Sequence, residues 1–283
     1  MSEPGRPVSG PRGGAVRQTV ETGRPVVTHW YSPVGRRAAA VATAVGHRIG
    51  AEPALVAVLS VGIAIAFVMA FLVARVYDAV TEDDGIASLD VPALDTAMQL
   101  RTPLLDGFSA GIAYLFGPVG MPCMAVVAIL VLALRRRSRT PVILIAGAGV
   151  GSLLMTIAGK DIIGRHRPPL ADAVPPYEYS PSFPSGHALN ATVIAGVVGY
   201  LLWLHRRTVA AKVLCVVVPV VIAVVVGLTR VVLAAHWLTD VVAAWLLGTA
   251  WLALVITAHR LYLTARERGA PEGPQSRAAG NVS

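Results

Sequence analysis

Six long apolar blocks dominate the sequence and leave little choice of fold. They are Ala54 to Ala74, the uncharged stretch Gly107 to Leu134 (from Gly117 onward), Pro141 to Gly159, Ala188 to Leu204, Val213 to Thr229, and Val241 to Ala258. A bilayer core of about 30 Å needs roughly 20 apolar residues in a helix rising about 1.5 Å per residue. Each block meets or approaches that length, and a water-exposed surface would not tolerate six of them. The expected fold class is all-α: a polytopic integral membrane protein with six transmembrane helices spanning residues 54–258.

Charge supplies the orientation. With the N-terminus in the cytoplasm, 18 of the 24 Lys and Arg fall on the cytoplasmic side and 11 of the 16 Asp and Glu on the other. Basic residues concentrate on the cytoplasmic side of membrane proteins, so both termini are expected there. The formal net charge of +8 then records topology, and no nucleic-acid partner is expected. Residues 1–50 repeat Gly, Pro and Arg without an apolar run, the composition of a disordered basic cytoplasmic tail with no cleavable signal peptide. Within it, residues 34–48 are read either as a helix on the inner leaflet or, by preference, as more solvated tail. A second disordered cytoplasmic tail is expected over 266–283. Cys123 and Cys215 fall inside apolar blocks, where a thiol behaves as a small apolar group. The outer segment from Arg75 to Phe116 is too long to be structureless. Leu94, Met98 and Leu104 place a short amphipathic helix there, on the outer membrane surface.

Polar residues gather at the outer ends of helices three to six, and charges that close to hydrocarbon are functional by default. Lys160 and Arg167 are seven apart, so on a continuous helix they share a side, and Pro168 then stops it. Pro184-Ser185-Gly186-His187 opens the fourth helix, whose unpaired N–H groups favour an anion. Gly186 admits a close backbone approach, and Ser185 serves either the anion or as an N-cap. Arg230 precedes His236, and Asp240 lies four residues beyond it, in reach of the imidazole on a helix. Three fixed cations and a helix terminus make a phosphate pocket, with two histidines left for chemistry. Asp161, Arg165 and His166 are read as solvated or supporting residues, Trp237 as an interfacial anchor, and His205 and His259 carry no role.

These three segments resemble the signature motifs of the type 2 phosphatidic acid phosphatase (PAP2) superfamily, K-x6-RP, PSGH and (S)R-x5-H-x3-D. Every charged and His position is filled, and Thr229 replaces the frequent Ser before the last arginine. The resemblance implies a catalytic set of His236 as nucleophile, His187 as general acid and Asp240 as the partner of His236. It implies phosphate ligands Lys160, Arg167, Ser185, Gly186 and Arg230. A two-metal phosphatase needs several carboxylates, and only Asp240 and Asp161 are in place by sequence, so no metal and no cofactor are expected.

A pocket at the outer ends of membrane helices holds a phosphate at headgroup depth, so the expected substrate is a lipid phosphate: phosphatidic acid, phosphatidylglycerol phosphate, or a polyprenyl mono- or diphosphate. Arg-rich, Lys-poor, Ala- and Val-rich composition points to a GC-rich bacterium and to cell-envelope lipids. The same residues would also serve a phosphotransferase or a non-catalytic lipid-phosphate binding or transport protein, and vanadium haloperoxidases share the oxyanion site but are soluble. Plasma-membrane localisation follows, with the oligomeric state left open.

Overall fold

The computed structural model describes residues 53–268 apart from Asp83. The expected tail over 1–50, its segment 34–48, and residues 269–283 lie outside the described residues. The chain forms α1 (Pro53–Glu82), a 3-10 turn (Gly85–Leu89), α2 (Asp90–Gln99), α3 (Pro103–Leu115), α4 (Gly120–Arg136) and α5 (Thr140–Ile163). A second 3-10 turn (Leu170–Asp172), α6 (Gly186–Trp203), α7 (Val209–Val232) and α8 (Leu238–Arg268) complete it. No strand occurs among the described residues.

Helices α1, α5, α6, α7 and α8 are long and apolar enough to cross a membrane. The second apolar block is not one straight helix. It is the pair α3 and α4, bent by 57° at a short break, and the pair makes a sixth span if counted as one. Thr102 starts α3 by accepting from the Leu105 N–H at 3.2 Å, with Pro103 at the first turn, where its missing N–H costs nothing.

Several helices outrun their apolar blocks. Helix α1 continues to Glu82 through Arg75 and Asp78, an exposed i,i+3 pair at 3.7 Å, and α8 continues to Arg268, so residues 266–268 of the expected tail are helical. The amphipathic helix expected over Leu94, Met98 and Leu104 is two elements. Leu94 lies on α2 and is only 4% exposed, because α2 packs against α7 and α8, whereas Leu104 begins α3 and is 85% exposed.

Helix α6 is the centre, packing against α4, α5, α7 and α8. Half of its span is buried (50%), against 11% for α1 and α7, whose valines, leucines and phenylalanines face outward as a bilayer requires. The functional ends of α5, α6, α7 and α8 therefore surround one point beside α6.

Candidate active site

Gly164, with φ +61°, ends α5 in a left-handed cap and returns its N–H to Lys160 O at 3.0 Å. The helix thus stops before Arg167, and the expectation of one continuous helix carrying Lys160 and Arg167 is corrected. The two cations meet instead on the loop that follows. Lys160 Nζ donates to Ser180 Oγ at 2.8 Å and to Pro181 O. Arg167 Nε donates to Ser180 O at 2.7 Å, and its Nη1 donates to Ala235 O at 2.5 Å.

His236 sits in the turn between α7 and α8 rather than on a helix, and is fully buried. The turn includes Ala234 at φ +49°, a strained value for a residue with a Cβ. Nδ1 of His236 lies 3.5 Å from Asp240 Oδ2 and 3.4 Å from Ser182 Oγ. Nε2 lies 3.2 Å from Arg167 Nη1. An arginine can only donate, so these partners assign the lone pair to Nε2 and the proton to Nδ1. Asp240 is also fully buried. It accepts from Ser182 Oγ, from the Trp237 N–H at 2.9 Å and from Arg165 Nη1 at 2.7 Å.

His187, in the first turn of α6, faces the same point. Its Nε2 lies 3.1 Å from Ala113 O, which can only accept, leaving Nδ1 toward the pocket. Arg230, at the end of α7, is fully buried, and its Nε and Nη1 have no hydrogen-bond partner among the described residues. Ser185 stands at the N-cap position of α6 yet makes no side-chain cap bond. The side chain thus does not serve as an N-cap, and its buried hydroxyl is left with no partner among the described residues. Gly186 packs so that a Cβ would fall 3.0 Å from Thr156 Cγ2, tying this segment to α5. The expected residues from all three segments thus converge.

Three residues outside the expected set join them. Glu178, in the Pro-rich loop between the first two motifs, places Oε1 at 2.5 Å from Arg230 Nη2 and Oε2 at 2.8 Å from Arg167 Nη2. Burial alone would raise its carboxyl, but His236, Arg230 and His187 around it hold it well below the usual carboxylate range. Arg165, read from sequence as solvated or supporting, is a half-buried bridge between two buried carboxylates. Its Nη2 donates to Asp90 Oδ2 and its Nη1 to Asp240 Oδ1, both at 2.7 Å. Burial would lower this guanidinium, and the two carboxylates raise it above its ordinary value. Asp90, from α2, accepts from the Thr239 N–H at 2.8 Å as well.

Asp161 is exposed, so the carboxylates near the pocket besides Asp240 are Glu178 and Asp90. Among the described residues, no three His, Cys, Asp or Glu side chains are grouped as metal ligands. Trp237 is tied locally, its Nε1 donating to His166 O at 2.9 Å and its ring 5.6 Å from the Arg165 guanidinium. No signal in the sequence marked Glu178 or Asp90. Arg165 lay in plain view, two residues before Arg167.

The model of the PAP2 superfamily matches residues 140–262. Phosphatidylglycerophosphatase B of Bacillus subtilis (strain 168) is 30% identical over 179 residues, 63% of this chain and 87% of that protein. The crystal structure of a transmembrane PAP2-type phosphatidylglycerolphosphate phosphatase from Bacillus subtilis superposes with a TM-score of 0.63 at 26% identity, covering 69% of this chain and 96% of that one. Aquifex aeolicus LpxE gives a TM-score of 0.47 at 22% identity, over 59% of this chain and 94% of that one. A relative matched over nearly its whole length, together with a family match that spans every motif segment converging at the pocket, places this chain in the PAP2 superfamily.

Proposed function

We propose that the protein is a membrane phosphatase that removes phosphate from a lipid phosphate or diphosphate on the extracytoplasmic side, through a phosphohistidine on His236. One observation carries the reading: the lone-pair nitrogen of His236, the free nitrogen of His187 and the guanidinium groups of Arg167 and Arg230 all face one point. In the first step His236 Nε2 bonds to phosphorus and the bond from phosphorus to the leaving oxygen breaks. His187 enters this step as an imidazolium, with Nε2–H on Ala113 O and a second proton on Nδ1, and gives the Nδ1 proton to that oxygen, while Asp240 stabilises the charge that develops on the His236 ring. Water then attacks phosphorus, His187 takes the proton from it, the N–P bond breaks and inorganic phosphate leaves. Lys160, Arg167, Arg230, Ser185 Oγ and the Gly186 N–H hold the non-bridging oxygens as charge builds, the main task in phosphoryl transfer.

A lipid substrate is supported by the setting. An apolar groove of about 610 Å³ between α7 and α8, floored by α6, begins at Thr192, roughly 7 Å along α6 from His187 at 1.5 Å per residue. It offers a place for a chain that stays in the bilayer. The name of the Bacillus relative makes phosphatidylglycerol phosphate the first substrate to try. The asymmetry of Lys and Arg supports the extracytoplasmic placement.

The test is phosphate release from a panel of lipid phosphates by the purified protein, with His236→Ala beside it and with excess chelator. Release is expected from the wild type, unchanged by chelator, and lost in His236→Ala. Wild-type release by His236→Ala would overturn the phosphohistidine, and a strict Mg²⁺ requirement would overturn catalysis by fixed cations.

A further inference from the structure

The carboxylate of Glu178 lies where the phosphoryl group of this reaction belongs. Oε1 is 2.5 Å from Arg230 Nη2 and 3.4 Å from His187 Nδ1. Oε2 is 2.8 Å from Arg167 Nη2 and 3.7 Å from His236 Nε2. Its four neighbours are the proposed nucleophile, the proposed acid and two of the proposed phosphate ligands. A second anion cannot share that space, on steric grounds and because two unscreened negative charges at contact repel strongly in a buried site.

The carboxylate is also an incomplete occupant. It brings two oxygens and one charge, and Arg230 Nε, Arg230 Nη1 and Ser185 Oγ remain buried without partners among the described residues. A phosphoryl group brings three non-bridging oxygens and up to two charges, enough to reach donors that the carboxylate leaves unpaired. There is room for the exchange. A cavity of about 310 Å³ is lined by Arg167, Glu178, Ser180 and Pro181, so Glu178 borders both that cavity and, through its carboxylate, the two histidines.

We propose that Glu178 is an internal counter-anion that fills the phosphate site of the substrate-free protein and must be exchanged for the substrate's phosphoryl group. This rests on the phosphatase reading above and adds a determinant of substrate affinity to it. A site competent to bind only when Glu178 has left shows an apparent dissociation constant raised by the reciprocal of that open fraction. The same carboxylate neutralises buried cations between turnovers and competes with product phosphate for them.

The experiment uses the full chain in detergent as wild type, Glu178→Gln and Glu178→Asp. Three quantities are read: inorganic phosphate affinity by calorimetry, KM for a lipid phosphate, and melting temperature with and without phosphate. Glu178→Gln is expected to bind phosphate about tenfold more tightly, the factor for a site that is open about a tenth of the time, with KM falling in parallel. Without phosphate it melts below the wild type, and it gains more on phosphate addition, as linkage requires of a tighter ligand. Glu178→Asp withdraws the carboxylate by one methylene and is expected to fall between the two, which also serves if Glu178→Gln does not fold. Unchanged or weaker phosphate affinity in the variants overturns the proposal, as does a fall in kcat with no change in affinity, which would make Glu178 a participant in the chemistry. Failure of the wild type itself to bind phosphate or release it from lipid phosphates would instead sink the phosphatase reading.

Discussion

Asp90 and Asp240 are held by one guanidinium: Arg165 Nη2 donates to Asp90 Oδ2 and Nη1 to Asp240 Oδ1, each at 2.7 Å. Both carboxylates are buried, and Arg165 is the cation between them. Through it α2 is fastened to the first turn of α8, whose Asp240 Oδ2 lies 3.5 Å from His236 Nδ1. Arg165→Gln strands two buried charges and is expected to cost roughly 3–5 kcal/mol. Asp90→Asn removes one acceptor and leaves the pair with Asp240 intact, so about 1–3 kcal/mol is expected. Thermal unfolding in detergent orders the two variants. Equal losses, or a larger loss in Asp90→Asn, would contradict the bridge.

His187 reaches the pocket through Nδ1 because its other nitrogen is engaged with Ala113 O at 3.1 Å. A group placed to protonate a leaving oxygen matters in proportion to how poor that leaving group is. His187→Ala is expected to lose about 10²- to 10⁴-fold in kcat/KM with an alkyl lipid phosphate and far less with an activated aryl phosphate. Steady-state kinetics on the two substrates gives the comparison. Equal losses on both would assign His187 to binding instead.

The spans were legible because a bilayer imposes length and polarity together, and five of the six blocks became single helices. Their ends were not, because an apolar run stops at the first charge whereas a helix need not. Arg75 and Asp78 continue α1 as an i,i+3 pair. The second block, from Gly117 onward, became α4, but apolarity does not report the 57° bend that joins it to α3. At the site, Lys160, Arg167, Ser185, Gly186, His187, Arg230, His236 and Asp240 could be picked out by their place at the ends of apolar blocks, although neither Lys160 with Arg167 nor His236 with Asp240 shares the continuous helix that their spacing suggested. Glu178 could not, since its loop has no periodicity to aim it. Asp90 could not either, because its partners Arg165 and Thr239 lie far along the chain and only packing of α2 brings them together.

Acid should weaken the substrate-free protein through Glu178. Its folded-state pKa is depressed, with burial opposed by His236 and Arg230. A depressed carboxylate adds stability that is fully present above the unfolded pKa of about 4.3 and is lost as pH falls toward the folded value. Melting temperature is therefore expected to decline as pH drops below about 4, and Glu178→Gln to flatten part of that decline. An identical slope in the two proteins would show that Glu178 gains nothing from its cationic neighbours.

Gly186 gives a test of geometry apart from charge. A Cβ there would meet Thr156 Cγ2 at 3.0 Å, closer than side chains ordinarily pack. Thr156 has little freedom to retreat, being buried with its Oγ1 donating to Ser152 O at 2.9 Å. Gly186→Ala should therefore push the start of α6 away from α5, moving Ser185 and His187 relative to Arg230. Overpacking of this kind costs about 1–3 kcal/mol, and a misplacement of about 1 Å at a reacting centre can cost 10²-fold in rate. Thr156→Ser removes the offending methyl and keeps the hydroxyl bond. Combined with Gly186→Ala, it should recover most of the melting temperature and part of kcat. If Gly186 mattered instead for backbone approach to the phosphate, the double variant would regain stability while its KM for lipid phosphate stayed high, so the split between melting temperature and KM separates packing from substrate contact.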